Sequence, residues 1–326
     1  MPESTKGTLV AYVHMYPPMH LAGAELMLHD IFRWLVKCGW ECRVIPIGRR
    51  GRRYGIKSYR MDGVLVSEDE CAMLADANVI LTHLDRTPEA ESIATHMGVP
   101  LVHLIHNHVT LQANRVRKAD LVVYNSEWLS SRIRWPARSL VVHPPVFEDD
   151  YRVDPVGECI TLVNLQRPKG VDLFYKLARL HPELRFLGVT GGYGEQVVEQ
   201  MPNVDLVGPL ADMRSVYRRT RVLLMPSAYE SYGRVAVEAA CSGIPTLAAE
   251  TPGLRESLGN GGTFVASRLV ASWNTSLAAL LLSWDEASAR ARGVVDRLDP
   301  ERELQCLDNA LTRLVREGRA SCRSRS

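Results

Sequence analysis

The stretch Val222–Pro245, VLLMPSAYESYGRVAVEAACSGIP, decides the fold. Val222-Leu223-Leu224-Met225 is a continuous apolar run of the length of a strand buried on both faces. Small and polar residues follow, and from near Gly233 to Cys241 the pattern becomes helical. An apolar strand, a small-residue turn and a helix N-terminus in that order form a βα unit of a parallel sheet. Such a junction offers backbone N–H groups to an anion of phosphate size. Two glutamates, Glu230 in the loop and Glu238 in the helical pattern, flank it with seven residues between them. Glu238 lies between Val237 and Ala239 on a helix otherwise made of Val, Ala and Gly, so it is expected to be semi-buried and to need partners. A helix-start charge and a solvated helix face are the plain alternative.

Outward from this stretch the same alternation continues. Thr8–His14 is a strand by its β-branched content, and Ala22–Lys37 has apolar residues at helical spacing, with Gly39 as a C-cap signal. Further strands are expected at Cys42–Ile47, Val79–Thr82, Leu101–Ile105, Leu121–Tyr124 and Leu140–Val142. After a polar linker the series restarts, with strands at Ile160–Asn164, Leu184–Val189, Val204–Val207, Val222–Met225 and Thr246–Ala248. The chain is helical from Trp273 to about Gly318. Two such series predict an α/β protein of two doubly wound, parallel-sheet, Rossmann-like domains facing a cleft. The first covers residues 1–155 and the second 156–318. The last helix is a candidate to pack back on the first domain, and 319–326 read as a disordered tail.

The 326 residues suit two domains. Lys+Arg of 39 against Asp+Glu of 37 leaves a net charge of +2, so a polyanionic partner must be argued from local clusters. Seven scattered cysteines, without a CxxC pair, read as free thiols in a reducing compartment. The N-terminus lacks a signal-peptide pattern and no apolar run has the length of a membrane span, so a cytoplasmic location is expected.

Several residues carry chemistry. Gly23, at the junction of the first strand and helix, permits close approach of a ligand to the backbone, or simply a tight turn. LVHLIHNH brings His103, His106 and His108 together. On a strand His106 and His108 share a face and His103 points away, a poor arrangement for a metal. His106 is the candidate for a histidine at a strand's carboxyl end that contacts substrate; a structural histidine is the alternative. In Asn164-Leu165-Gln166-Arg167-Pro168-Lys169-Gly170, Arg167 and Lys169 stand at a strand-to-helix junction and suit a diphosphate.

The pattern Pro226-Ser227, Glu230, Gly233, Glu238-Ala239, Gly243-Ile244-Pro245, Gly253 and Glu256 resembles the signature of family 4 retaining glycosyltransferases with the GT-B fold. Ala22–Glu25 resembles the family's glycine-rich first loop, Ala119–Glu127 its mid-domain strand and helix, and Lys169-Gly170 its lysine-glycine pair. The resemblance implies transfer of a sugar from a nucleoside diphosphate donor to a hydroxyl, with retention and without a metal or other cofactor. It gives catalytic roles to His106, Lys169 and Glu230. Donor contacts fall to Gly23, Asn164, Arg167, the Ser231, Tyr232, Gly233, Arg234 and Val235 segment, and Glu238, which is assigned the ribose. The chain departs from the family at Asn164, where a Gly-Arg pair is usual before the lysine; Arg167 is the candidate substitute. On this reading Lys169→Ala or Glu238→Ala abolishes transfer and leaves the fold intact.

For the acceptor, the one loud feature is the basic segment Gly48–Arg60, GRRGRRYGIKSYR. Arg49, Arg50, Arg52, Arg53 and Tyr54 suit phosphate and base contacts, which puts a hydroxylated base of DNA beside a glycan, lipid or small molecule as possible acceptors. Anionic lipid headgroups, a phosphorylated small acceptor and a solvated loop are further readings of the same segment. A GT-B epimerase or phosphorylase, or a noncatalytic nucleotide-sugar-binding protein, is the rival of another class.

Overall fold

The computed structural model describes residues 5–48, 51–108, 118–133, 135–154, 157–191 and 193–323. The chain divides into two compact units, one of residues 1–145 with 300–326, the other of 146–299. The division therefore falls before the boundary expected at 155.

The first unit is built on an eight-stranded sheet: β1 (Gly7–Val13), β2 (Trp40–Pro46), β3 (Tyr59–Met61), β4 (Val64–Val66), β5 (Val79–His83), β6 (Leu101–Ile105), β7 (Leu121–Tyr124) and β8 (Arg138–Val141). Their spatial order is β3-β4-β2-β1-β5-β6-β7-β8. All neighbours are parallel except β3 and β4, which form a hairpin through Asp62-Gly63, both at positive φ. That hairpin, which starts at the end of the basic segment, was not foreseen. Val10, Tyr12, Ile45 and Ile80 pack on Ala90 and Ala94 of the helix Thr87–Met97.

The long helix Pro300–Arg323 belongs to this first unit. Asp308, almost fully buried, accepts from Lys6 Nζ at 2.8 Å and from Trp40 Nε1 at 2.7 Å. His143 Nδ1 and Glu303 Oε1 lie 2.7 Å apart. The helix runs to Arg323, which corrects the expectation of a disordered tail from 319; only 324–326 lie outside the described residues.

The second unit has six parallel strands in the order β11-β10-β9-β12-β13-β14: β9 (Cys159–Val163), β10 (Phe186–Val189), β11 (Val204–Val207), β12 (Thr220–Met225), β13 (Thr246–Ala249) and β14 (Gly262–Val265). The alternation of a strand sends successive side chains to opposite faces. Val222 and Leu224 of β12 join Phe174, Leu177, Trp273 and Leu277 on one face, while Leu223 and Met225 join Ala236, Ala239 and Leu254 on the other. Both faces are covered by helices, which explains why β12 reads as an unbroken apolar run. Full burial of each such side chain stabilises by about 1.5–3 kcal/mol.

Candidate functional site

In the second unit the chain leaves β9 for β10 and β11 on one side and returns as β12 on the other. The loops after β9 and β12 thus emerge side by side at the carboxyl ends of adjacent strands, where doubly wound sheets bind ligands. Local packing locks them together. Gly170 has φ +90°, and a Cβ there would lie 2.4 Å from Pro226 Cγ. The Ala228 N–H donates to the Pro168 carbonyl at 2.8 Å.

This delivers Lys169 to Glu230. Lys169 Nζ donates to Glu230 Oε1 at 2.5 Å, and Ser227 Oγ donates to the same oxygen at 2.8 Å. The two charged side chains are 24% and 12% exposed. Burial pulls the Lys169 pKa down, but the Glu230 carboxylate and the Tyr193 phenol outweigh it, and the net shift is upward. Lys169 is therefore a fixed cation at neutral pH. Glu230 is held from behind as well: a Cβ on Gly253 would sit 2.4 Å from the Glu230 carbonyl oxygen, so only glycine lets the helix Pro252–Leu258 back this loop.

Glu238 occupies a different environment. It is 3% exposed; Oε1 accepts from Arg234 Nε at 2.6 Å and Oε2 from Tyr217 Oη at 2.6 Å. Arg234 Nη2 in turn donates to Tyr151 Oη at 2.6 Å. Burial first, then the adjacent Glu238 charge, pushes the Tyr217 phenol well above its ordinary range, so it stays a donor. Both Glu238 oxygens are committed to protein donors. Partners that a buried carboxylate requires thus come from the chain itself, in addition to the ribose contact the resemblance implies.

The other expected donor contacts separate in the same way. Arg167 turns to Asp172, with Nη1 at 2.9 Å and 3.0 Å from the two carboxylate oxygens, and is largely exposed; it does not join Lys169. Asn164 has φ +72° and accepts from Gln196 Nε2 at 3.1 Å, while a Cβ on Gly191 would lie 2.5 Å from Asn164 Cγ. It shapes the turn after β9. Tyr232 is buried against Val146, Val237 and Cys241. Gly233, at φ +91°, opens the helix Arg234–Ala240, whose start has no side-chain cap; Ser231 and Val235 are half-buried beside it. Sequence reasoning missed the Arg234 side chain, Tyr217 and Tyr151. The spacing of Arg234 and Glu238, four residues apart on one helix, was the available signal.

In the first unit Gly23 begins the helix Gly23–Lys37 with open space around it. His106 follows β6 and is buried. Its Nε2 lies 2.9 Å from Nδ1 of His83, the last residue of β5. Burial, with a contribution from His103, holds the His106 pKa down to about 3. Burial also lowers His103 to about 4. Burial and the neighbouring histidines push His83 well below the usual range. His106 is thus half of a neutral histidine pair, and His83 is the partner that sequence reasoning missed. Among the described residues no group of three or more His, Cys, Asp or Glu is placed to hold a metal.

Part of the basic segment is tied to its neighbours, while Arg53, Lys57 and Arg60 remain exposed. Arg49 and Arg50 lie outside the described residues. Arg53 donates to the Glu68 carbonyl and, at 3.1 Å, to Glu70. The Glu68 carboxylate accepts from the backbone of Tyr54, Gly55 and Ile56. Tyr54 Oη donates to the His14 carbonyl and Tyr59 Oη to the Pro17 carbonyl. Arg52 is exposed. Two tyrosines anchored through their hydroxyls are not the stacking platforms that a nucleic-acid interface would use, which removes the aromatic part of that argument.

A family model described as glycosyl transferases group 1 matches residues 158–283. The D-inositol 3-phosphate glycosyltransferase of Segniliparus rotundus is 26% identical over 259 residues, 62% of this chain and 58% of that protein. The protein of the same name from Corynebacterium kroppenstedtii is 31% identical over 154 residues, 40% of this chain and 34% of its own. The chain thus spans less than two thirds of the length of these relatives. Anabaena HepE, crystallised with UDP-glucose, has a TM-score of 0.72 at 17% identity, covering 93% of this chain and 99% of its own. A sucrose-phosphate synthase from Thermosynechococcus elongatus has a TM-score of 0.66 at 16% identity, covering 98% and 100%. The resemblance read from the sequence is supported to this extent: residues 158–283 match a group 1 glycosyltransferase model, and the fold is that of GT-B glycosyltransferases. No helix of the described residues is long and apolar enough to cross a membrane.

Proposed function

We propose that this protein moves a sugar from a nucleoside diphosphate donor to an acceptor hydroxyl with retention of configuration. The observation that carries the reading is the Lys169–Glu230 pair at the carboxyl ends of β9 and β12, the switch point of the second sheet. Cleaving the glycosyl–phosphate bond builds positive charge on the sugar and negative charge on the diphosphate. Lys169, protonated and fixed, stabilises the departing diphosphate electrostatically, and a mostly buried setting strengthens that effect. Glu230 accepts from hydroxyls of the donor sugar. Neither carboxylate acts as nucleophile: Glu238 is enclosed by its own donors, and Glu230 is bound to Lys169. The departing phosphate then takes the acceptor proton as the acceptor attacks the same face. In this reading Lys169 meets the leaving-group charge without a metal ion.

Glu238 serves the site indirectly, by fixing the helix that follows Gly233. His106 is placed by its pairing with His83 to hydrogen-bond as a neutral imidazole, with no role as a proton donor at neutral pH. For the acceptor we favour a small hydroxyl compound, which agrees with relatives named for an inositol phosphate; exposed Arg52 suits a phosphate on it. The test is a panel of nucleoside diphosphate sugars in thermal unfolding, since a bound donor raises the midpoint by mass action, followed by transfer assays with the best donor. A stabilising donor whose effect vanishes in Lys169→Ala supports the reading. No stabilisation by any donor refutes it.

A further inference from the structure

We propose that Glu230 discriminates between the intact donor and the bare nucleoside diphosphate left after transfer, favouring the first and expelling the second. The inference rests on the glycosyl-transfer reading above.

Lys169 does not present a bare ammonium to a ligand. Its counter-ion is already in the protein, with Glu230 Oε1 at 2.5 Å, and Ser227 Oγ fixes that same oxygen at 2.8 Å. The backbone that carries this carboxylate is fixed as well. It is pressed against Gly253, where a single added carbon would come within 2.4 Å of the Glu230 carbonyl oxygen. The cation is set from the other side by Gly170 packed on Pro226 and by the Pro168–Ala228 hydrogen bond. A diphosphate that reaches Lys169 therefore arrives beside a fixed negative charge.

The two ligands meet that charge differently. In the donor the terminal phosphate is esterified by the sugar and carries one negative charge, and the sugar's hydroxyls are donors available to a carboxylate. After transfer the terminal phosphate is a monoester-like group with a second ionisation near pH 6, so at neutral pH it gains most of another negative charge. It loses the hydroxyls at the same time. One carboxylate thus attracts the substrate through hydrogen bonds and repels the product through like charge. Both side chains are mostly buried, so water and salt screen this poorly. The Lys169–Glu230 pair accordingly limits product inhibition, and Glu230 is a specificity residue in addition to its contact with the sugar.

The experiment measures dissociation constants by titration calorimetry on the full chain. Ligands are UDP, ADP, GDP and inorganic pyrophosphate, with the corresponding nucleotide sugars. Proteins are the wild type, Glu230→Gln, Glu230→Asp and Lys169→Met, each with its thermal unfolding midpoint as a check on folding. Glu230→Gln is expected to bind the preferred nucleoside diphosphate about tenfold more tightly, the order of effect for a close like-charge contact. It binds the sugar-bearing form no more tightly. Glu230→Asp, which keeps the charge, stays near the wild type for the diphosphate, and Lys169→Met loses both ligands. Folded Glu230→Gln with unchanged or weaker diphosphate binding overturns this inference alone. A wild type that binds none of these ligands overturns the transfer reading and this inference together.

Discussion

Glu238→Ala removes a carboxylate that is 3% exposed and accepts from two buried donors, Arg234 Nε and Tyr217 Oη, each at 2.6 Å. The Arg234 guanidinium, on a side chain only 5% exposed, then loses its charge partner. Breaking a buried pair from one side costs about 3–5 kcal/mol, because the remaining charge stays desolvated. The Tyr217 hydrogen bond ends on the same carboxylate, so its loss lies within that figure. Set against a domain stability of about 5–15 kcal/mol, the second unit loses about a fifth or more of its margin. With a urea slope of about 1–3 kcal/mol per molar, the midpoint falls by roughly 1–5 M. The readout is hydrogen exchange of the helix Arg234–Ala240 across a urea series, which reports this unit separately from the first. The double variant Glu238→Ala with Arg234→Met recovers most of the loss, since an apolar replacement of the second charge removes the desolvated group. The sequence alone suggested that Glu238→Ala leaves the fold intact while abolishing transfer. A single variant within about 0.5 kcal/mol of the wild type that has lost donor binding would restore that view and refute the network's structural role.

Lys169→Met is expected to lower kcat/KM by at least about 10²–10³ in a transfer assay, since it loses donor binding as well as one preorganised donor to developing charge. Gly253→Ala pushes the Glu230 backbone away by steric overlap and should cost about 1–3 kcal/mol in urea unfolding, with loss of transfer. His106 and His103 titrate at about 3 and 4 in the folded chain, against an ordinary value of 6.5. The unfolded state therefore binds more protons below pH 6.5. The stability these groups contribute is fully present above that pH and falls by about 1.4 kcal/mol per pH unit per histidine toward the folded values. Urea midpoints of the first unit at pH 7.5 and 5 check this, and His106→Gln should flatten the fall. Transfer measured with and without a chelator is expected to be the same, because Lys169 supplies the charge that a metal would otherwise meet.

Most strands were legible because they are buried on both faces and read as apolar runs. The bounds of Leu101–Ile105, Leu121–Tyr124 and Val204–Val207 needed no correction. The β3–β4 hairpin escaped because arginines dominate Gly48–Arg60 and draw attention from Asp62-Gly63, a two-residue turn signal directly after it. β14 escaped because it is short and begins with glycine. The return of the helix Pro300–Arg323 to the first unit depends on Asp308 meeting Lys6 and Trp40. The sequence offered this helix as a candidate to pack back on the first domain, but the residues that make the contact, some three hundred positions apart, were not legible in a local pattern.

The two glutamates show where sequence reading stops. Both are carboxylates beside the same βα junction, and the family resemblance gave one a catalytic role and the other the ribose. Their environments part because their counter-charges come from different places. Glu238 stands four residues after Arg234 on one helix, so its partner is local and the pair can close on itself wherever that helix packs. Glu230 lies in a loop, and its cation is Lys169, 61 residues away in sequence. That pairing requires β9 and β12 to be neighbours, which in turn requires β10 and β11 to lie on the far side of β9. The proposed donor site is therefore a consequence of strand order. An Arg–Glu pair buried in a helix supports the scaffold, and a Lys–Glu pair assembled at the switch point is left in position for a ligand.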